Sequence, residues 1–155
     1  MVILTLCSSV QAPIQCALRP SMWVPGLKSL HVHREKWRID QSAMDFVETV
    51  KTGLATMIQE DQLGTFYDVH KIEKNFVRIF AFTWAEWLDI VEIKLVDNHA
   101  EVVSFSSGLL PLSIPFACFI NVALFWFPFY GHKFNITRLE KLRTAMGVTI
   151  SVQDQ

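Results

Sequence analysis

TFYDVHKIEKNFVRIFAFTWAEWLDIVEIKLVDNHAEVVSFSS, residues 65–107, alternates β-branched and aromatic side chains with polar ones at a period of two. That is the pattern of strands with one face turned inward. The run divides into Thr65 to Lys71, Phe76 to Thr83, Trp87 to Val96 and Ala100 to Ser107. Between them, Glu73-Lys74-Asn75, Trp84-Ala85-Glu86 and Asp97-Asn98-His99 are short enough for hairpins. They are far too short for the helix that a parallel crossover needs, so an antiparallel meander is expected.

On either side the period lengthens. Ala43, Phe46, Val47, Val50, Leu54, Met57 and Ile58 recur at three- and four-residue spacings, which predicts an amphipathic helix from about Asp40 to Gln62. Ser42 and Asp45 have capping-box spacing at its start, and Gly64 suits a left-handed cap beyond its end. Gly53 weakens its middle by roughly 1 kcal/mol relative to Ala. Toward the C-terminus, Ile136, Leu139, Leu142 and Met146 form a narrow apolar stripe, with Asn135 as the expected N-cap and Gly147 as the stop. Lys141 and Arg143 complement the dipole of that second helix.

Between Glu101 and His132 the only ionisable side chains are Cys118 and Tyr130. Leu109 to Tyr130 matches the ~20 residues a helix needs to cross a bilayer. Trp126, Phe127, Phe129 and Tyr130 cluster beside His132 and Lys133, as aromatic rings and cations do at a membrane interface. Pro111, Pro115, Asn121 and Pro128 oppose a simple span, because lipid cannot replace a lost backbone hydrogen bond. The best continuous helix is Pro115 to Phe127, roughly 20 Å long and too short to cross. The expectation is a re-entrant or interfacial hairpin; burial under the sheet or in an oligomer interface is the alternative. Leu109, Leu110, Ile114, Phe116, Phe119, Leu124, Trp126, Phe127, Phe129 and Tyr130 are the expected contacts with lipid or a membrane protein.

The 155 residues suit one domain. The fold class is therefore α+β: an antiparallel four-stranded meander, a helix before it, a hydrophobic helical insert and a C-terminal helix. Residues 39–150 form the single domain, with the insert at 109–130, and 151–155 are a tail. Residues 1–38 are expected to be a loosely structured tail, since Pro13, Pro20, Pro25 and Gly26 punctuate them. Val10-Gln11-Ala12 resembles a signal-peptide cleavage pattern, but the basic n-region is missing and the apolar core is short.

Charged residues make up 19% of the chain against roughly 25% in ordinary soluble domains, which points to a membrane or an obligate partner. A net charge of −1 supplies no basic field for nucleic acid. Cys7, Cys16 and Cys118 are odd in number, so they cannot form a closed disulfide framework, and they lack CxxC spacing; they read as free thiols in a reducing, intracellular compartment.

Chemistry is sparsely signalled. Asp68 and His70 share one strand face and are candidates for an acid–base pair with Asp89 or Glu92, the basis of a hydrolase-like alternative. Against it, alternating polar residues are commonly a strand's solvated face. His31 and His33 lack further recognisable metal ligands. No phosphate loop, nucleophile elbow or zinc spacing is present, so no catalytic set, metal or cofactor is assigned. Asn135 and Arg138 suit a structural clamp, with Arg138 in reach of a carboxylate such as Asp89; with Lys133 they are alternatively contacts for an anion or lipid headgroup.

Phe80-Ala81-Phe82, Trp87-Leu88-Asp89-Ile90-Val91-Glu92, Ser104-Phe105-Ser106-Ser107-Gly108 and Asn135-Ile136-Thr137-Arg138 occur in that order. They resemble the family called domain of unknown function 1499 over the second half of the chain. Ser107 stands where that family has Arg, and Ile90 replaces its second Asp. The resemblance implies an order of elements and no reaction. It also makes 109–130 look like an insertion between the last strand and the final helix, which must leave and return on one side of a membrane. The functional expectation is a membrane-associated, non-enzymatic intracellular module, with a small enzyme or a subunit of a protein complex as alternatives.

Overall fold

The computed structural model describes residues 4–26, 30–39, 43–61, 64–127, 131–147 and 151–154. In chain order these form α1 (Leu6–Ala17), α2 (Pro20–Trp23), β1 (Val32–Arg38), α3 (Ala43–Glu60), β2 (Phe66–Glu73), β3 (Phe76–Phe82), β4 (Leu88–Val96), β5 (His99–Ser106), α4 (Ala117–Ala123), α5 (Gly131–Met146) and β6 (Ser151–Asp154). The fold is α+β, and all strand pairings are antiparallel.

The expected meander is present as β2 to β5, but it belongs to a six-stranded sheet in the order β2-β3-β4-β5-β1-β6. The two additional strands come from segments read as tails. β1 docks along β5 from Val32 opposite Phe105 to Arg38 opposite His99. β6 lines the outer edge of β1. The remainder of the expected N-terminal tail forms α1 and α2, with Ser8, Gln11, Ala12, Gln15 and Cys16 buried. Pro13 lies inside α1 and does not end it.

Each face of the sheet carries a cover over its central strands, because these strands are apolar on both sides. In β3, Val77 and Ile79 face one way while Phe80 and Phe82 pack into a different cluster. The first face carries Trp37, Val91, Ile93 and Val102 beneath α3 and α5. The second carries Val32, Leu88, Ile90 and Phe105 beneath α1 and part of the insert, whose Leu112, Ala117 and Cys118 complete that core. Burying each large side chain contributes roughly 1.5–3 kcal/mol.

Gly53 has a role that helix propensity alone does not show. A Cβ there would lie 2.6 Å from the Met146 Cγ and 3.1 Å from its backbone, so glycine permits α3 and α5 to meet. α5 begins at Gly131, five residues before the expected first helical residue Ile136, which places Asn135 inside the helix rather than at its cap. Ser42 and residues 128–130 lie outside the described residues.

The insert is less helical than expected: instead of a helix over Pro115 to Phe127, only α4 is regular. Phe116 precedes it with a left-handed φ of 64°. At 1.5 Å per residue α4 is roughly 10 Å long, and no described helix is long and apolar enough to cross a membrane.

Gly108 is the point where the insert leaves the sheet. A Cβ at this position would fall 2.4 Å from the Asn121 Cβ and 2.1 Å from its Cγ. Gly108→Ala should therefore lower stability by about 1–3 kcal/mol through overpacking, measured as a reduced urea midpoint at unchanged slope; an unchanged midpoint would show that the insert is not held at this contact.

Candidate functional site

Side chains of functional interest gather in two places: an apolar layer on the second sheet face, and a buried polar cluster on the first. α1 enters the layer with its polarity reversed. Leu6, Val10 and Ile14, four residues apart, are 81%, 58% and 37% exposed, whereas Ser8, Gln11 and Gln15 are buried. The buried amides are satisfied by the insert. The Gln11 Nε2 donates to the carbonyls of Leu112 (2.9 Å) and Ile114 (2.8 Å), and its Oε1 accepts from the Cys118 amide at 3.0 Å. Asn121 donates to the Gln15 Oε1 and exchanges two bonds with the Leu110 backbone. This polar seam supplies the partners that an irregular, buried backbone needs.

Both ends of α1 are tied down. The Thr5 hydroxyl caps its first turn, and the Glu86 carboxylate accepts from Thr5 and from the Ser8 hydroxyl. Beyond its last turn, Arg19 makes a bidentate pair with Glu92 at 3.0 Å, while Arg78 binds the same carboxylate at 2.7 Å. Burial opposes the Glu92 charge, but the two guanidiniums outweigh it and hold its pKa below the ordinary 4.5. The insert is pinned at its far end by the His31 Nε2, which donates to the Phe125 carbonyl at 3.2 Å. Burial lowers the His31 pKa from 6.5 despite its backbone bonds.

The expected contact residues divide between the two sides of this layer. Leu109, Ile114, Phe116, Phe119, Trp126 and Phe127 are exposed, with Phe116 at 72% and Trp126 at 65%. Leu110 packs partly against the core, and Leu124 is half-buried. Phe129 and Tyr130 lie outside the described residues. The uncharged segment is thus partly core and partly a bare apolar exterior. Sequence periodicity did not identify α1 as the other half of the layer, although Leu6, Val10 and Ile14 carry a helical spacing that Pro13 disguised.

On the first face, Tyr67, Ala81, Asp89 and Ser106 form one cross-strand row. Arg138 pairs with Asp89 at 2.8 Å. The Asn135 Oδ1 accepts from the Ser104 hydroxyl at 2.9 Å, and its Nδ2 donates to the Ser106 hydroxyl at 3.3 Å. Burial disfavours the Arg138 cation, yet Asp89 and Tyr67 more than compensate and raise its pKa. Asn135 and Arg138 are buried and turned onto the sheet, with their polar groups on Ser104, Ser106 and Asp89. Lys133 is exposed.

The hydrolase-like trio does not assemble. Asp68 shares its row with Phe80 and Ile90 on the second face, and His70 stacks on Phe80 at 4.2 Å, whereas Asp89 leaves the sheet on the first face. Side chains on opposite faces cannot meet through a sheet. Among the described residues no group of His, Cys, Asp and Glu could hold a metal ion. All three cysteines are free, and burial pushes the Cys16 and Cys118 thiols up. No family model matches the chain, and neither a curated protein nor a solved structure is significantly similar to it.

Asp89→Asn and Arg138→Met should each cost about 3–5 kcal/mol by leaving a buried partner unpaired, with the double variant recovering much of the loss in urea melts. Stability should also fall on acidification in two windows. A histidine with a lowered folded pKa loses its contribution as pH drops below 6.5, and Glu92 loses its own below 4.5 as protonation releases Arg19. His31→Gln should abolish the first window alone, read from thermal melts between pH 4 and 8.

Proposed function

We propose that this protein is a non-enzymatic, membrane-associated module that seats on lipid or a membrane protein through its insert, Leu109 to Tyr130. The observation that carries the reading is the exposure of Phe116, Phe119, Trp126 and Phe127 on a segment without charge, at 72%, 55%, 65% and 60%. Four such rings held in water forfeit burial worth roughly 1.5–3 kcal/mol each, and clustered exposure of this kind marks an interaction surface. With α4 as its only described helix, the insert suits immersion in one leaflet rather than a crossing. An intracellular site accords with the three free thiols.

The resemblance to the domain of unknown function 1499 family remains part of this proposal, although no family model matches the chain. Asp89, Ser104, Ser106, Asn135 and Arg138, drawn from separate stretches that carry the resemblance, converge under α5. It contributes no activity to the proposal.

Deleting the insert would also remove Leu112, Ala117 and Cys118 from the core, so point substitutions are the proper test. Phe116, Phe119, Trp126 and Phe127 replaced together by Ser should leave the melting temperature near that of the parent and shift the protein from the membrane pellet to the supernatant in cell fractionation. Unchanged pelleting would reject the insert as the anchor.

A further inference from the structure

We infer that the membrane-facing surface is composite and selects an anionic leaflet: α1 and the insert form its apolar plateau, and the bare part of the same sheet face forms a basic flank. This inference rests on the membrane reading above and extends it to a part of the chain outside the insert and to a class of lipid.

The plateau follows from packing. Ala12 and Cys16 of α1, and Ala117 and Cys118 of the insert, enter one core on one sheet face. The sides of these helices turned away from that core therefore point the same way. On α1 that side is Leu6, Val10 and Ile14; on α4 it is Phe119 and Ile120, with Phe116 just before it. α1 contains no charged residue between Leu6 and Ala17. Its glutamines are consumed by the seam, so the outward side makes no polar demand that water must satisfy. A helix that hides its amides and displays leucine, valine and isoleucine is arranged for an apolar medium.

Four exposed tryptophans sit in chain segments next to the elements of this plateau. Of the five in the chain, Trp37 is fully buried, while Trp23, Trp84, Trp87 and Trp126 are 68%, 75%, 40% and 65% exposed. Trp84 and Trp87 flank Glu86, which holds the N-terminus of α1, and the Trp87 indole donates to the Leu109 carbonyl at the start of the insert. Trp23 closes α2, the short helix that follows α1, and Trp126 follows α4. Indoles gather where an apolar phase meets water, since the ring favours the first and its N–H the second.

Charge distinguishes lipid from a second copy of the chain. Beyond the plateau the same sheet face continues uncovered, with Lys36, Glu101 and Lys94 side by side in one cross-strand row. Arg38 follows in the next row, opposite His99. Lys94 and Arg38 are exposed and Lys36 is half-buried. The edge strand adds Lys71 against Asp68 and Glu73, and Arg19 and Arg78 share Glu92, so the face retains a cationic excess. Two copies meeting through this face would bring like charges together. An anionic leaflet instead meets apolar residues with its acyl chains and Lys36, Arg38 and Lys94 with its headgroups.

Vesicle flotation tests this with phosphatidylcholine alone and with phosphatidylcholine containing phosphatidylserine. The intact chain should float with both and prefer the serine-containing vesicles by at least about ten-fold at low salt, a preference lost at high salt. Lys36→Gln, Arg38→Gln and Lys94→Gln together should erase the preference while leaving binding to neutral vesicles unchanged. Leu6→Ser, Val10→Ser and Ile14→Ser together, all at exposed positions, should reduce binding to both vesicles about ten-fold or more without lowering the melting temperature. If this α1 variant binds like the parent, the composite surface is overturned although the insert remains the anchor. Equal binding of the parent to both vesicles overturns the anionic selection. A parent that floats with neither overturns the membrane reading itself, and a concentration-dependent dimer abolished by the α1 substitutions assigns the face to a second copy.

Discussion

The structure depends on a sheet whose central strands are apolar on both faces. Val77 and Ile79 alternate with Phe80 and Phe82 in β3, and Val91 and Ile93 alternate with Leu88 and Ile90 in β4. A sheet of that kind needs two covers. The amphipathic helices α3 and α5 provide one, meeting at Gly53 and Met146. The other is assembled from α1 and a non-repetitive apolar loop, and its thinness explains much of what is unusual here. A single layer of small residues and short helices covers Phe80, Phe82 and Phe105, yet cannot also provide a polar exterior.

The irregular half of the second cover is held by side-chain amides. Gln11, Gln15 and Asn121 supply bonds that helices and strands elsewhere supply for themselves. Their placement inverts the usual arrangement, with amides inward and leucine, phenylalanine and tryptophan outward. On the opposite face the polar groups serve a different end. Asp89 with Arg138, and Asn135 with two serines, fix α5 on the sheet at one register, a specificity that apolar packing alone provides less sharply.

Much of the architecture was legible locally. The four hairpin strands lie within a residue or two of their expected bounds, because period-two patterning and short connections leave few alternatives. α3 and the C-terminal stop at Gly147, where φ is 62°, follow from local pattern and turn chemistry as well. Arg138 reaching Asp89 was accessible from residue type, and the apolar insert from its absence of charge. By contrast, Pro13 disguised α1: a proline forfeits one hydrogen bond in a helix, but tertiary packing of Ala12, Cys16 and the glutamines offsets that loss.

Which face each residue occupies could not be read in advance, because it depends on register with distant strands. Asp68, His70 and Asp89 look like neighbours in composition, yet the alternation of the sheet sends Asp89 away from the other two. The incorporation of β1 and β6 likewise rests on pairing across long chain separations, where β1 finds the free edge of β5. Local order therefore belonged to the chain's own pattern of apolar spacing, turn residues and missing charge. The division of the insert into core and bare exterior, and the recruitment of α1 beside it, arose only when remote segments competed for one uncovered sheet face, since burial is a property of neighbours that no single stretch contains.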